Sequence, residues 1–482
     1  MASSVRKLLR LLIALPLAGI VYLVVLPILI LFRLLCLLAV DIPCRLFAHF
    51  SSKSGPRSMM RKEDAFMMME TGLNHCNIVA AIELEGPPLD VASLTMLIEH
   101  GLLEAGQPRW LRFMQRPVRT WAGWFWEDVR DSFAMSHHIS VETEAMTLEA
   151  MAASLARLQS EPMDHSRPLW NVVLVPYSSK GGCTAIFRLH HSMGDGLALV
   201  RILLQMMDGD GMAAKPVPVG HRSTGSCLQG ASHLLWAPLH AVEQLLEHSD
   251  TGPLKPPRLA GVKRAALSSE LQLQRIKDIA RVKKTTVSAV VAACFASALE
   301  RCGLTNGARH LNFWVPVSVA AAGSEFTEPR NDLSFVMMPL ATGSSSVTET
   351  LRRTDKLLLE LKTSSKAPSL LMVIRVVMHL LPRSISEPLL NSIGSKASGV
   401  FSSVPGPSSE LRWGGHRVVS LRFLVPQRAN FCVGLSAVSY AGDFCIAVSA
   451  DEATLANVQG IVTTWQDALS ELEESITDIH AE

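Results

Sequence analysis

Two adjacent histidines, followed at fixed spacing by an aspartate and a glycine, are the residues of this sequence best suited to chemistry. Residues 188–196 read RLHHSMGDG and fit the pattern H-H-x-x-x-D-G. In a chain of 482 residues with 16 His and 30 Gly, four fixed positions match by chance in about one chain in a thousand. The other pair, His137-His138, continues without Asp-Gly, so we assign it no catalytic role.

The chemistry that this pattern offers is that of a neutral imidazole. A histidine at the end of a strand can be held in one tautomer when an acceptor bonds one ring nitrogen, which leaves the other free as a base. With an ordinary pKa of ~6.5, His191 would be mostly neutral at pH 7 and could take the proton of a hydroxyl nucleophile. Asp195 stands where a carboxylate can pair with an arginine or bond backbone N–H groups to hold the loop. No further set of ligands stands at metal-binding spacing, so we predict no metal site.

The motif lies between a predicted strand, Cys183–Leu189, and a predicted helix, Leu197–Met207. The rest of this first unit alternates apolar strands with amphipathic helices, which indicates an α/β fold. Its other predicted elements are the strands Ile78–Leu84 and Trp170–Pro176 and the helices Val91–Gly101 and Thr147–Gln159.

A second unit of similar size follows a long connection. Between residues 208 and 263 the composition shifts toward Gly, Pro and Ser, which predicts a crossover with one short helix, Leu234–Glu247. We divide the chain into an N-terminal membrane anchor (1–50), a first domain with the motif (51–207), the crossover (208–263) and a second domain (264–482). The predicted elements of the second domain are the helices Leu271–Lys283, Thr286–Arg301, Val347–Lys362, Leu370–Leu381 and Leu455–Ser475 and the strands Leu311–Val319, Leu333–Leu340, Val418–Phe423, Phe431–Ser439 and Phe444–Ala450.

The N-terminus carries an apolar segment long enough to cross a bilayer. From Leu11 to Phe32 no residue is charged, and this length of helix spans ~33 Å against a bilayer core of ~30 Å. A cleaved signal peptide has a shorter apolar region of about 7–15 residues, so we predict a retained anchor. Pro16 and Pro27 are compatible with a kinked single span or with a re-entrant hairpin. In both cases the basic residues on the flanks favour a cytosolic main body.

Composition narrows the functional classes. Hydrophobic residues make up 48% and charged residues 18%. The charged share is below the ~25% of a typical globular chain, which excludes disorder and favours contact with lipid. The formal charge is +2, and without a basic stripe we predict no nucleic-acid partner. Nine scattered cysteines without a C-x-x-C pair form neither a disulfide framework nor a zinc site, and they favour the reducing side of a membrane.

The motif and several further blocks resemble the wax ester synthase/diacylglycerol acyltransferase family. That family lies within the CoA-dependent acyltransferases built like chloramphenicol acetyltransferase. The resemblance covers roughly residues 60–475, and the chain departs from the family pattern at Ser288 and Ser403, where asparagine is common. The blocks, in the family's order, are Asp164–Trp170 (DHSRPLW), Arg330–Asp332 (RND) with Met338–Leu340 (MPL), Phe401–Pro407 (FSSVPGP) and Ser439–Gly442 (SYAG).

The resemblance implies two chloramphenicol-acetyltransferase-like α/β domains joined by the crossover, with a tunnel between them, to which this chain adds an N-terminal transmembrane helix. Acyl-CoA and an acceptor alcohol would meet at His191, the general base, with His190 as its supporting neighbour. Asp195 would hold the loop, Gly196 would keep the channel open, and Asn331 would lie near the active centre from the second domain.

We therefore expect a membrane-anchored O-acyltransferase that moves a long-chain acyl group from acyl-CoA to a fatty alcohol or to diacylglycerol. Acyl-CoA is a co-substrate in this scheme, and we expect no cofactor; membrane lipid is a further partner. Two alternatives are a non-catalytic lipid-binding or transfer module of the same fold and an acyltransferase with a polar acceptor. The expected location is the membrane of the endoplasmic reticulum with the catalytic domains in the cytosol, or else the lipid droplet or the plasma membrane.

Overall fold

A computed structural model describes most of the chain. The described residues are 2–38, 42–43, 57–70, 72–103, 110–120, 123–144, 147–176, 182–208, 227–318, 328–455 and 457–477. The helices are α1 (Ala2–Ile20), α2 (Leu26–Cys36), α3 (Lys62–Met67), α4 (Val91–Leu103), α5 (Leu148–Ser160), α6 (Gly196–Met206), α7 (Cys227–Leu246), α8 (Leu273–Val282), α9 (Val287–Arg301), α10 (Val347–Thr363), α11 (Lys366–Leu380), α12 (Arg383–Gly394) and α13 (Val458–Thr477). The strands are β1 (Arg57–Met59), β2 (Asn77–Glu85), β3 (Gln115–Thr120), β4 (Gly123–Asp128), β5 (Ile139–Val141), β6 (Trp170–Val175), β7 (Gly182–His190), β8 (Lys263–Leu267), β9 (Leu271–Gln272), β10 (His310–Ser318), β11 (Leu333–Ala341), β12 (Gly399–Pro405), β13 (Arg412–Trp413), β14 (His416–Leu424), β15 (Val433–Tyr440) and β16 (Asp443–Asp451).

The first sheet carries the histidine motif at the end of a central strand. Its strands lie in the order β13-β14-β2-β7-β6-β5. β2 and β7 pair antiparallel, in register from Asn77 opposite His190 to Glu85 opposite Gly182. Both strands are buried along nearly their whole length, as expected for nearly continuous apolar runs at the centre of a covered sheet. The rigid end of β7 therefore fixes where the two histidines lie.

The second sheet forms the other half of the molecule. Its strands lie in the order β11-β10-β12-β15-β16-β8, and β9 pairs with β16. Helix α9 packs in this core, and every side chain from Ala289 to Leu299 is buried. A helix that is apolar on all faces is expected where it is enclosed by other elements. The result is the two-part α/β architecture that the sequence predicts.

Strands β13 and β14 come from late in the sequence but complete the first sheet. β14 pairs antiparallel with β2, from Arg417 opposite Glu85 to Leu424 opposite Val79. The two halves are therefore interleaved, and sheet membership does not follow sequence order. The domain bounds given by the sequence stay a prediction.

The N-terminal segment is helical from Ala2 to Cys36. A π-helical segment, Val21–Val25, joins α1 to α2, and Pro16 lies inside α1. The stretch Leu11–Cys36 is long and apolar enough to cross a membrane by length and composition, and only a small part of it is buried. It packs on the body where α1 contacts α7 and α2 contacts α11. The Tyr22 hydroxyl donates a hydrogen bond to the Leu234 carbonyl of α7 at 2.6 Å.

The structure confirms the predicted helices and strands of both halves, with one large shift: α7 begins at Cys227 rather than at Leu234. It also contains elements that the sequence did not indicate. Among them are the hairpin β3–β4, the strands β8 and β12 and the helices α3 and α12.

Candidate active site

The backbone around the motif is a strand end, a short turn and a helix start. β7 ends at His190, the residues His191–Met193 form a 3₁₀ turn, and α6 begins at Gly196. The His191 N–H donates to the Cys76 carbonyl at 2.9 Å, and the His190 N–H donates to the Leu169 carbonyl at 3.0 Å. These backbone bonds fix the direction in which each imidazole leaves the chain.

The side chain of His191 is oriented by Asn331, which comes from the second half of the sequence. His191 Nδ1 lies 2.9 Å from Asn331 Oδ1. An amide oxygen only accepts, so Nδ1 carries the proton and Nε2 is the unprotonated nitrogen. His191 lines a large cavity, and among the described residues no protein atom bonds Nε2. The ring is thus held in the tautomer that a general base requires.

The orientation of the Asn331 amide is itself determined by its surroundings. Its Nδ2 donates to Asp64 Oδ1 and to the His191 carbonyl, both at 2.9 Å, so the flipped amide would face two acceptors. Its backbone N–H also donates to Asp64 Oδ1, at 3.2 Å. Asp64 Oδ2 lies 3.4 Å from Arg112 Nη1, and the Arg112 guanidinium lies over the ring of Trp126. Arg112, Asp64, Asn331 and His191 therefore form one buried chain of hydrogen bonds.

His190 points away from the cavity and binds within the fold. Its Nδ1 accepts from the Ser192 backbone N–H at 3.1 Å, so its Nε2 carries the proton and donates to Glu70 Oε1 at 3.2 Å. Burial opposes ionisation of Glu70, but the hydrogen bonds from His190 and His75 outweigh it and lower the pKa of Glu70 to about 2. The side chain of His190 is fully buried. This geometry gives His190 the position of a support for the loop.

Asp195 joins the motif to the loop that carries Asn331. Its Oδ1 accepts from the Ala198 N–H at 2.9 Å and caps α6, which is a preferred use of aspartate at a helix start. Its Oδ2 accepts from the Asp332 N–H at 2.9 Å. Gly196 lines the cavity, and a Cβ there would meet no atom within 4 Å, so a larger side chain would project into open space.

Burial sets the protonation states of the groups at this site. It lowers the pKa of His191 to about 4, with smaller contributions from the nearby positive charge of Arg428, so the imidazole is neutral at pH 7. Burial also raises the pKa of the Cys76 thiol to about 12. Because a thiol acts as a nucleophile only as the thiolate, Cys76 is inert here although it lines the same cavity.

The cavity lies between the two halves and has a volume of about 780 Å³. This is within the range of roughly 300–1,000 Å³ typical of sites for organic ligands. Its walls are mostly apolar and come from both sheets and from α7, α10, α11 and α12. Ser288 and Ser403, the two positions that depart from the family pattern, both line it.

Arg428 is the cation in this lining. Its guanidinium lies 3.6 Å from the centre of the Phe66 ring, and its Nη2 contacts Met69 Sδ at 3.2 Å and Asn391 Oδ1 at 3.3 Å. Burial lowers the pKa of Arg428 to about 10, so it stays charged at neutral pH. Within the described part of the chain, its Nε has no hydrogen-bond partner.

Comparison with known proteins decides the family. The wax ester synthase/diacylglycerol acyltransferase catalytic-domain model matches residues 59–249, and the C-terminal-domain model of the same family matches residues 330–473. The chain belongs to the wax ester synthase/diacylglycerol acyltransferase family. It is an acyl-CoA-dependent acyltransferase, and the resemblance drawn from its motifs is confirmed.

Relatives from bacteria and plants carry the same family names. A putative diacylglycerol O-acyltransferase of Mycobacterium tuberculosis is 23% identical over 86% of this acyltransferase and 89% of its own length. The wax ester synthase/diacylglycerol acyltransferase 2 of Arabidopsis thaliana is 24% identical over 60% of this chain and 69% of its own length.

Two solved structures share the fold of the acyltransferase. The wax ester synthase/diacylglycerol acyltransferase of Marinobacter aquaeolei VT8 is 19% identical, with a TM-score of 0.62 over 86% of this chain and 98% of its own. The first condensation domain of the calcium-dependent antibiotic synthetase is 13% identical, with a TM-score of 0.59 over 88% and 96% of the two chains. At these identities they support the fold alone.

The structure brings together all five of the site residues predicted from the sequence. His191, Asp195 and Gly196 line the cavity, Asn331 bonds His191, and His190 lies behind them. Their roles stay predictions. Asp64, Glu70, Arg112 and Arg428 are the residues that the sequence did not indicate, because each is a single charged residue outside any motif and reaches the site only through the fold. Among the described residues no three His, Cys, Asp or Glu side chains could hold a metal ion.

Proposed function

We propose that the acyltransferase moves a long-chain acyl group from acyl-CoA to the hydroxyl of a fatty alcohol or of diacylglycerol, with His191 as the general base. The observation that carries this proposal is the neutral His191, with its Nδ1 bonded to Asn331 and its Nε2 at an apolar cavity. His190 and Asp195 support the loop, and Gly196 leaves room for the substrates.

The proposed reaction is a direct transfer. His191 Nε2 takes the proton of the acceptor hydroxyl as the oxygen attacks the thioester carbonyl carbon. The tetrahedral intermediate then collapses: the carbon–sulfur bond breaks, and the CoA thiolate takes the proton back from the imidazolium. The products are the ester and free CoA. Two features favour this single displacement. Cys76 is inert as a nucleophile, and a general base acts on the acceptor hydroxyl without forming an acyl-enzyme.

The walls of the cavity support lipid substrates over polar ones. Asp195 and Arg428 are the charged side chains in its lining, and both Asp195 oxygens accept backbone hydrogen bonds. Each buried methylene contributes about 0.8 kcal/mol, or roughly a fourfold change in affinity. We therefore expect kcat/KM to rise with acceptor chain length until the cavity is filled.

We propose that the N-terminal helix holds the enzyme on a membrane. Support comes from the exposed apolar stretch Leu11–Cys36, and its packing on α7 and α11 ties it to the catalytic body. The endoplasmic reticulum is a prediction from the sequence alone, because relatives such as the mycobacterial protein come from cells without that compartment.

The test is acyl transfer from radiolabelled palmitoyl-CoA by membranes that contain the full chain. Hexadecanol, diacylglycerol and a polar alcohol such as glycerol are offered separately, and products are separated by thin-layer chromatography. We expect labelled wax ester, triacylglycerol or both, and loss of label from the products with His191→Ala. The product ratio assigns the acceptor class.

Three results would overturn the proposal. Faster transfer to the polar alcohol than to both lipids would make this an acyltransferase for polar acceptors. Equal product formation by the wild type and by a folded His191→Ala variant would remove His191 from the mechanism. Lipid binding without transfer by either protein would favour the lipid-transfer alternative.

A further inference from the structure

The N-terminal helix meets the catalytic body halfway along its apolar length. Tyr22, which bonds the Leu234 carbonyl of α7, lies eleven residues after Leu11 and fourteen before Cys36. At 1.5 Å per residue these distances are about 17 Å and 21 Å. A contact at this position places part of α7 at the depth of the hydrocarbon core wherever the anchor crosses a bilayer of ~30 Å.

The composition and surface of α7 fit that depth. From Cys227 to Val242 the helix has no Asp, Glu, Lys or Arg. The side chain of Leu234 is 45% exposed, beside the exposed apolar surface of the anchor. Within the hydrocarbon a free hydroxyl or carbonyl is costly, and the Tyr22–Leu234 bond satisfies both groups.

The charged end of α7 marks where the hydrocarbon would stop. Leu245 lies eleven residues beyond Leu234, about 17 Å along the helix, which is close to half the thickness of a bilayer core. Glu247 follows directly after the helix, and Lys396 Nζ donates to the Glu247 carbonyl at 2.9 Å. Along α7 the residues therefore change from uncharged around Leu234 to charged at Glu243 and Glu247.

Leu245 belongs both to the surface and to the wall of the active-site cavity. Its side chain is 43% exposed, and it also lines the cavity. Leu246 beside it is 73% exposed. Exposed apolar side chains also lie on the other cavity-lining helices, with Leu359 on α10 and Ile385 on α12. The cavity is thus bounded at this place by helices that each carry at least one exposed apolar side chain.

We infer that the anchor, α7 and α11 form one lipid-embedded unit, and that the acceptor lipid passes from the bilayer into the cavity beside Leu245. The inference deepens the proposed function and rests on its lipid acceptor. The occupant of this surface is bilayer lipid, because the surface continues the apolar surface of the anchor and α11 contacts α2. The hydroxyl of an alcohol or of diacylglycerol lies at the polar boundary, which is the depth of Leu245.

Depth is tested by fluorescence quenching, which does not depend on activity. A bimane label on Leu246→Cys, in full-length protein in vesicles, is exposed to lipids brominated near the headgroup end of the acyl chain. Signal from the native cysteines is measured on unsubstituted protein and subtracted. Met96→Cys is the matched control, since Met96 is 63% exposed on α4, which packs on α6 and β5. We expect at least twofold quenching at position 246 and none at position 96.

Passage of the lipid is tested by kinetics. Leu246→Asp is compared with Met96→Asp, using hexadecanol held in vesicles and hexanol dissolved in buffer. We expect Leu246→Asp to lower kcat/KM for vesicle-held hexadecanol at least fivefold and to leave that for hexanol within twofold, whereas Met96→Asp changes neither. An unquenched label at position 246, or an equal loss for both alcohols, overturns the inference. A wild type that esterifies neither these alcohols nor vesicle-held diacylglycerol overturns the proposed function instead, and the quenching result still decides the depth of α7.

Discussion

Replacing Asn331 by aspartate is the sharpest perturbation of the chain that orients His191. In Asn331→Asp an oxygen takes the place of Nδ2, which lies 2.9 Å from Asp64 Oδ1 and 2.9 Å from the His191 carbonyl. Two buried carboxylates would then face each other at hydrogen-bond distance. One of them must bind a proton for the fold to survive.

The expected loss of stability follows from the free energy needed to protonate one of the two carboxylates. Protonating a carboxyl of ordinary pKa ~3.9 at pH 7 costs about 4 kcal/mol, which is the largest destabilisation that the variant can suffer by this route. The folded variant binds one proton more than its unfolded chain between pH 4 and pH 7. Its stability relative to the wild type therefore increases as the pH falls, by about 1.4 kcal/mol per unit.

The assay is urea unfolding in detergent micelles, followed by tryptophan fluorescence at pH 7 and pH 5. We expect Asn331→Asp to lose roughly 3–4 kcal/mol at pH 7 and to recover most of it at pH 5. Adding Asp64→Asn restores a donor between the two side chains and recovers part of the stability at pH 7, because the backbone N–H of residue 331, which bonds Asp64 Oδ1 in the wild type, then loses its acceptor. The double variant keeps a negative charge 2.9 Å from His191 Nδ1, which raises the pKa of His191 by roughly 1–3 units. The acid limb of kcat/KM therefore moves to higher pH.

Asn312→Asp is the matched control. Asn312 is buried, and its Nδ2 donates to Asp250 Oδ1 at 3.0 Å, but unlike Asn331 it makes no hydrogen bond to His191 among the described residues. We expect the same pH-dependent loss of stability and an unchanged acid limb of kcat/KM. If Asn331→Asp costs less than about 1 kcal/mol, or costs the same at both pH values, the described contacts of Asn331 are wrong.

Three further predictions concern the groups around His191. Burial lowers the pKa of His191 to about 4, so the unfolded chain binds more protons than the folded protein between pH 4 and pH 6.5. We expect the wild type to lose about 3 kcal/mol of unfolding free energy between pH 7 and pH 4 that His191→Gln does not lose. Equal losses of the two proteins in urea unfolding would contradict the burial of this ring. Arg428 lowers the pKa of His191, so Arg428→Met should move the acid limb of kcat/KM to higher pH; a limb that stays or moves down contradicts the stated effect of this charge. Asp195→Ala removes the cap of α6 and the bond to the Asp332 N–H. Thermal unfolding should show about 1 kcal/mol of lost stability per bond, and kcat should fall. Asp195→Asn, which keeps the capping oxygen, should lose less of both, and an unchanged kcat in Asp195→Ala would separate these bonds from catalysis.

Local sequence patterns correctly predicted the elements whose structure depends on neighbouring residues. β2, β6 and β7 are mostly apolar segments, and the hydrophobic period of α6 follows the motif directly. The placement of His190 and His191 at the end of a strand followed from the same pattern. These features depend on residues that are neighbours in the sequence.

Elements whose stability comes from the fold were missed. β12 reads GVFSSVP and lacks the signature of a strand, yet it lies between β10 and β15, where its backbone pairs on both sides. β14 was predicted as a strand but not as part of the first sheet, because strand order is a long-range property. The contacts of Asp64 with Asn331 join residues 267 positions apart, and no local pattern encodes them.

The most direct test of the central claim is the release of CoA thiol when hexadecanol is added to palmitoyl-CoA and full-length enzyme in vesicles. Wild type is compared with His191→Ala and with His137→Ala, whose side chain is exposed and outside the cavity. A general base contributes about 100- to 10,000-fold. We predict at least a 100-fold lower kcat/KM for His191→Ala and an unchanged value for His137→Ala. A His191→Ala enzyme that is folded and within tenfold of the wild type would contradict the assignment of His191 as the base.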